Sequence, residues 1–442
     1  MNRPFFLALS ALIFISCAGS SQSIDKAKLD AYFNTLTEHN RFMGSVAIAQ
    51  GGELIYSKTV GFADVEQGLK ANENTLYRIG SITKTFTAVL VLKAVEENKL
   101  SLNQTIDKWF PNIGNADKIT IDQMLRHRSG LHNHLDEWVN SGRHIQAITE
   151  QEMIETITQS GNDFTPDAQT AYSNSGYYLL TFILERIYQK PFSEILEEKI
   201  VRPLGLKNTR LGGKINSQNN ECHSYIFLGN SWQRLPEAHT SQLLGAGAII
   251  STPTDLVKFS HALFSGKLIS ENSLQQMKTI QDHFGMGLKQ FPFHHRIGFG
   301  HTGGIDGFRS IFAYFPDGDF SIAITSNDMN PNLNEIAITL LNVAYGKTFE
   351  IPEFTALDTT EVDLSQFVGV YSSPQLPLKM TISVRDNQLF GQGTGQPAFP
   401  LEMTAENKFE FRQAGVVLEF NPANNSMILR QGGGVFSFTR ED

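Results

Sequence analysis

The sequence predicts an α/β chain of the α+β kind: an antiparallel sheet flanked by helices, a helical subdomain, and then a small all-β C-terminal domain. Three observations carry this. Residues 26–346 run in the order helix, strands, many helices, strands, helix, which places one antiparallel sheet between helices and adds a helical insertion. After Phe349 the helical period stops, and short alternating segments separated by turns replace it. At 442 residues the chain is also too long for a single ordinary core.

The first residues read as a targeting segment. Arg3 is followed by an apolar run from Phe5 to Ile15, well short of the roughly 20 residues that cross a bilayer. Cys17 closes this run, after Ile15-Ser16 and before Ala18-Gly19-Ser20, an arrangement that resembles a bacterial lipobox. Phe14 departs from the leucine preferred at its position. Residues 1–19 are therefore expected to be a signal region with Cys17 as the lipidation site, and 20–25 a polar tether. The competing reading is a plain cleavable signal. Either implies export to the periplasm or membrane face of a bacterium, with contact to the membrane only through the lipid. The other cysteine, Cys222, then has no intrachain partner.

Hydrophobic residues at 41% and charged residues at 18% describe a globular protein. The net charge of −9, unbroken by any basic run, argues against nucleic-acid binding. From Lys26 to Phe42, Leu29, Phe33 and Leu36 recur on one helical face. Ser45 to Ala49 and Leu54 to Tyr56 read as strands around the turn Gln50-Gly51-Gly52. Further helices are expected at Ile119 to Leu125, Glu150 to Thr158, Gly176 to Tyr188, Phe192 to Ile200 and Asp255 to Phe264. Residues 206–240 show no pattern and read as irregular. Strands follow at Phe308 to Phe315 and Phe320 to Ser326, joined by an Asp317-Gly318 turn, and then a helix at Leu333 to Tyr345. A larger domain of sheet and helices over 26–350 and a β-barrel-like or sandwich domain over 361–442 result, joined near Ile351-Pro352-Glu353.

The chemistry centres on Ser81-Ile82-Thr83-Lys84, which precedes a long apolar run. On a helix, residues three apart share a face, so the Lys84 amine comes close to the Ser81 hydroxyl. The helix N-terminus favours developing negative charge, a plausible build for an activated nucleophile. The competing reading makes Ser81 an ordinary helix N-cap. Ser23-Ile24-Asp25-Lys26 repeats the spacing without the apolar run. Tyr172-Ser173-Asn174, in a loop before a helix, offers a phenol as proton relay and an amide two residues on. Gly300-His301-Thr302-Gly303-Gly304 offers a strand edge and glycines that permit close approach.

Together these three segments resemble the penicillin-recognising serine hydrolases, near the class C β-lactamase and D-alanyl-D-alanine peptidase branch. The match runs over about residues 26–346: S-x-x-K at Ser81 to Lys84, Y-x-N at Tyr172 and Asn174, and H-x-G in place of K-T-G at His301 to Gly303. Leu125 to Leu131, Gly247 to Thr252 and Phe315 to Gly318 are similar to the same family. The resemblance implies a serine β-lactamase-like fold with a barrel-like tail. It implies Ser81 as nucleophile, Lys84 and Tyr172 sharing the base role, and Asn174 orienting a substrate amide. His301 and Gly303 would line the substrate strand, with the N–H groups of Ser81 and Gly304 as oxyanion hole. The reaction would be acyl transfer to Ser81 and hydrolysis, on a small-molecule or peptide substrate, without metal or organic cofactor. A buried Lys84 should have a lowered pKa. His301 in place of lysine favours peptidase- or esterase-like relatives over a true β-lactamase. It either binds a substrate carboxylate as a cation or serves as a neutral hydrogen-bonding partner. A zinc site among His127, His132, His134, His294 and His295 lacks an H-E-x-x-H and a completing carboxylate. A G-x-S-x-G elbow is absent. A non-turnover receptor, acylated by an antibiotic, is the remaining alternative, and oligomeric state is not encoded in any readable pattern.

Overall fold

The computed structural model describes residues 24–135, 142–228, 231–354, 362–385, 387–396, 398–411, 414–431 and 434–441. The signal region with Cys17, and Ser23 of the second S-x-x-K, lie outside the described residues, as does 355–361 between the two domains.

One sheet and its helices form the frame. Helix α1 (Lys26–Glu38) starts where the Asp25 carboxylate accepts the Lys28 N–H at 2.9 Å. Strands β1 (Gly44–Gln50) and β2 (Glu53–Val60) form a hairpin whose turn places both Gly51 and Gly52 at positive φ. Far along the chain come β3 (Lys289–Phe293), β4 (Arg296–Ile305), β5 (Phe308–Phe315) and β6 (Phe320–Ser326). The spatial order is β3-β4-β5-β6-β1-β2, with every pairing antiparallel. The first hairpin thus closes against the last strand, with Gly44 opposite Ser326 and Gln50 opposite Phe320.

Side-chain alternation divides the sheet between two cores. Val46, Ile48, Ile322 and Ile324 face α1 and the helix Leu333–Ala344, meeting Leu29, Phe33, Ile336 and Leu340. Ala47, Ala49, Phe312 and Ala323 face the other way. There they meet α2 (Thr83–Glu96) and the helix Pro253–Phe264, whose Phe259 stacks on Phe86 with centroids 3.8 Å apart. Alanines on this face leave room for a helix to lie close to the strands. α2 is apolar on nearly every side and buried from Thr83 to Leu92, as its unbroken apolar run predicts.

One expectation is corrected. Residues 206–240 are not wholly irregular: Tyr225–Leu228 pairs with Ser231–Arg234, and Arg210–Leu211 pairs with Ile249–Ser251. Its polar sequence conceals this hairpin, because Tyr225 is buried by tertiary contact while the strands themselves are half exposed. The glycine-rich segment 300–304 lies within β4, the strand edge expected of it. Cys222 is buried, its thiol donating to the Leu76 carbonyl.

The C-terminal part is a closed barrel of eight antiparallel strands between Gly369 and Arg440. Its interior is filled by its own side chains, among them Phe367, Tyr371, Phe409, Leu418 and Phe420. Its core is separate from the two cores of the sheet. Contact between the parts is polar at Arg41 and Glu402, which form an ion pair. Before the barrel, Phe349, Ile351 and Phe354 lie back on the α1 side of the sheet. A chain ending at Phe354 should therefore fold without the barrel. One ending at Thr348 should lose about 3 kcal/mol more, the burial of three partly covered apolar side chains. Paired urea melts measure the difference; equal stability would mean that this strap contributes nothing.

Candidate active site

The site starts from a backbone requirement. Gly80 has φ +51° and carries the chain into a 3₁₀ turn (Gly80–Ile82) that runs straight into α2. No side chain caps either element. The Ser81 hydroxyl is not used as a cap, which sets aside the N-cap reading, and two other groups take it instead. Lys84 Nζ lies 3.1 Å from Ser81 Oγ, and the Tyr172 hydroxyl donates to the same oxygen at 2.7 Å.

Lys84 is fully buried. Its nitrogen also donates to Asn174 Oδ1 and to the Ala246 carbonyl, each at 2.7 Å. Burial pushes its pKa well below the usual lysine value, and the Lys289 ammonium pushes in the same direction. Burial acts oppositely on Tyr172, holding the phenol protonated well above its usual pKa despite the bond to Ser81. The two groups flanking Ser81 are thus biased towards a neutral amine and a neutral phenol.

Tyr172 and Asn174 reach the same place because Ser173 between them is extended (φ −136°, ψ 126°), which sends alternate side chains the same way. Asn174 itself is the first residue of the helix Asn174–Tyr188, one step beyond the expected loop. The Ser173 N–H donates to His127 Nδ1 at 3.2 Å, and the His127 ring lies 4.4 Å from the Tyr172 ring. Burial, then Lys84, His301 and Lys289, hold His127 well below the usual imidazole pKa, so it is a neutral packing partner of Tyr172.

β4 supplies the opposite wall. It pairs with β3 only through residues 296–300, so among the described residues no strand lies outside 301–305. This free edge presses on the Ser81 turn. A methyl group on Gly303 would sit 2.0 Å from the Ile79 carbonyl, and one on Gly80 would sit 2.8 Å from the Gly304 nitrogen. His301 is buried, donates from Nδ1 to the Thr302 carbonyl at 2.5 Å, and is pushed down to about 3, mainly by burial. The cationic reading of His301 is corrected on this ground: a dry imidazole beside Lys84 and Lys289 stays neutral at physiological pH.

Of the zinc candidates, His132 faces Asp163 at 2.8 Å and His134 faces Ser175 Oγ at 2.9 Å, while His294 meets the Phe293 ring edge to face. Three site groups escape the sequence reading. The Ala246 carbonyl is a backbone atom and has no residue-type signal. Asn133 accepts from both the Asn174 N–H and its side-chain amide. Lys289, at the start of β3, lies 5.7 Å from the Tyr172 ring centre and 5.2 Å from that of Phe284. Burial lowers its pKa.

A family model described as Beta-lactamase matches residues 29–345. The chain belongs to the beta-lactamase family. As a member of it, the chain is a serine hydrolase, and the matched span contains Ser81, Lys84, Tyr172, Asn174 and His301. Penicillin-binding protein 4* of Bacillus subtilis is 26% identical over 439 residues, covering 92% of this chain and 96% of that protein. The teichoic acid D-alanine hydrolase of Staphylococcus aureus is 28% identical over 278 residues, 62% of this chain and 64% of that one. The crystal structure of the D-amino acid amidase of Ochrobactrum anthropi, complexed with D-phenylalanine, superposes with a TM-score of 0.65 at 26% identity, covering 72% of this chain and 99% of that chain. The beta-lactamase fold accounts for the sheet and helices; the barrel lies beyond the span of the family model.

The close approach of β4 makes a paired prediction. Gly303→Ala should destabilise the protein by about 1–3 kcal/mol or more, because neither the Ile79 carbonyl nor the strand can yield without strain. Gly304→Ala should fold nearly as the parent does, since its methyl group would meet nothing nearer than Arg309 at 3.6 Å. Thermal melts of the two variants check this, and equal losses would refute the described packing.

Proposed function

We propose that this serine hydrolase cleaves peptide, amide or ester bonds of D-amino-acid substrates through an acyl-enzyme on Ser81. The observation that carries the reading is the environment of Lys84. As a neutral amine, Lys84 has two N–H groups and one lone pair. Asn174 Oδ1 and the Ala246 carbonyl are both acceptors, so they take the two N–H groups. The lone pair is left for Ser81, whose hydroxyl donates to it while accepting from Tyr172. Lys84 is then the general base and Tyr172 the acid that protonates the leaving group. Ser81 Oγ attacks the carbonyl, the leaving amine or alcohol departs with a proton, and water discharges the acyl-enzyme by the reverse path. The N–H groups of Ser81 and Gly304, brought together where β4 meets Gly80, serve the oxyanion.

Support for a D-amino-acid substrate comes from the named activities of the amidase and the D-alanine hydrolase among the relatives. A true β-lactamase is the weaker reading, because His301 is a neutral group where the K-T-G relatives carry a lysine. We assign the substrate's anionic group, where it has one, to Lys289, a half-buried cation with no carboxylate partner among the described residues.

Three measurements test this. Ser81→Ala should abolish labelling by a fluorophosphonate and all turnover; retained turnover would refute the assignment. The acid limb of kcat/KM should be common to neutral and anionic substrates, because it reports Lys84: activity is present above its pKa and falls as the pH drops through it. Lys289→Ala should raise KM about tenfold for a D-amino-acid peptide with a free carboxylate and leave KM for the corresponding neutral amide unchanged. It should also move the acid limb to higher pH, since a cation that depresses Lys84 is gone. A burst of acylation without steady turnover would instead favour a penicillin-binding receptor.

Export with lipid attachment at Cys17 belongs to the same proposal. Cys17→Ser should shift the protein from the membrane to the soluble fraction of the native cell, and an unchanged distribution would favour a plain signal peptide.

A further inference from the structure

We propose that Asn133 is a positioning residue that sets the orientation of the Asn174 amide and, through it, the direction of the Lys84 lone pair. The inference rests on the acyl-transfer reading of Ser81 and extends it to a residue that acts through Asn174.

The backbone N–H of Asn174 is a donor that cannot turn over. Asn174 is the first residue of its helix, and its backbone N–H has no partner within the helix. Ser173, at the N-cap position, makes no capping bond. Asn133 Oδ1, from a different segment, accepts this N–H at 3.0 Å. A backbone N–H is always a donor, so the Asn133 oxygen, and not its NH₂, must face it. The same oxygen lies 2.9 Å from Asn174 Nδ2, which therefore must be the NH₂ end. Asn174 Oδ1 is then directed at Lys84. Turning the Asn174 amide over would set its oxygen against Asn133 Oδ1 and its NH₂ against the Lys84 N–H groups, two repulsive contacts in a dry site.

The Asn133 segment is itself held. The His134 N–H donates to Ser175 Oγ at 3.2 Å, and Ser175 Oγ donates to the His132 carbonyl at 2.6 Å. Residues 132–134 thus lie against 174–175 as a clamp with Asn133 at its centre. Without it, the Asn174 amide can present NH₂ to Lys84. The lysine lone pair would then be drawn to that donor and away from Ser81.

Two variants separate positioning from mere support. Asn133→Leu keeps the branching and heavy-atom count and removes the acceptor; Asn133→Asp keeps the acceptor and adds a negative charge on the side of the Asn174 amide that faces away from its bond to Lys84. The groups already facing Lys84 are Tyr172 and Tyr177, the imidazoles of His127, His134 and His301, and the Lys289 ammonium, so the added carboxylate would be the only anion among those named. The readout is the rate at which a neutral fluorophosphonate labels Ser81, measured across pH with thermal melts in parallel. It needs an activated Ser81 but not the natural substrate. Asn133→Leu should label about 10- to 100-fold more slowly at every pH while remaining folded at the assay temperature. Asn133→Asp should move the acid limb to higher pH, because a carboxylate favours the protonated amine, and should recover to within about threefold of the parent above that limb. A folded Asn133→Leu that labels at the parental rate, or an Asn133→Asp limb that does not move, would overturn the inference and leave the acyl-transfer reading standing. A parent protein that does not label at all would remove both.

Discussion

A lysine nitrogen buried out of reach of water is the constraint to which the rest of the site answers. A charged amine in such a place is costly, and the structure relieves that cost by favouring the neutral form and giving its two N–H groups carbonyl acceptors. Those acceptors come from chain segments far apart, one a side chain at a helix start and the other a peptide carbonyl at Ala246. The serine three residues before the lysine receives what remains. In the mechanism we propose, Ser81 is activated by the way its neighbours use up the lysine's donors, and not by a charge placed next to it.

The surrounding fold serves that geometry by holding three backbone segments in register. The sheet turns Ala47, Ala49 and Ala323 towards α2 and large aliphatic residues towards α1, so α2 sits deep against the strands. The free half of β4 then lies against the Ile79–Gly80 corner at a spacing that only glycine at 303 permits. A layer of neutral histidines and tyrosines completes the enclosure. His127 supports Tyr172 from behind, and His301 turns its donor back on its own strand. The barrel has a core of its own, and its Glu402 pairs with Arg41, whose guanidinium also lies over the Phe354 ring.

Local pattern was sufficient where local physics decides. The apolar run after Lys84 announced a buried helix, the Gly51-Gly52 pair a tight hairpin, and the loss of helical period after Phe349 a change to an all-β unit. Ser81, Lys84, Tyr172, Asn174 and His301 were legible because their spacings place reactive groups on shared faces and because three such segments occur in a known order. The residues that complete the site left no such trace. Asn133 is one polar residue in an irregular stretch, Lys289 one lysine among many, and the Ala246 carbonyl belongs to a backbone that every sequence has.

What the sequence determined by itself was the set of reactive groups and the elements that carry them, since period, turn chemistry and spacing act within a few residues. Their states were decided only by the tertiary structure. Whether Lys84 is charged, whether His301 is a cation, which way the Asn174 amide faces and which face of β4 is left open all depend on burial and on partners scores of residues away. Desolvation and hydrogen-bond donor count are properties of a packed interior, and they take a value only when distant segments meet.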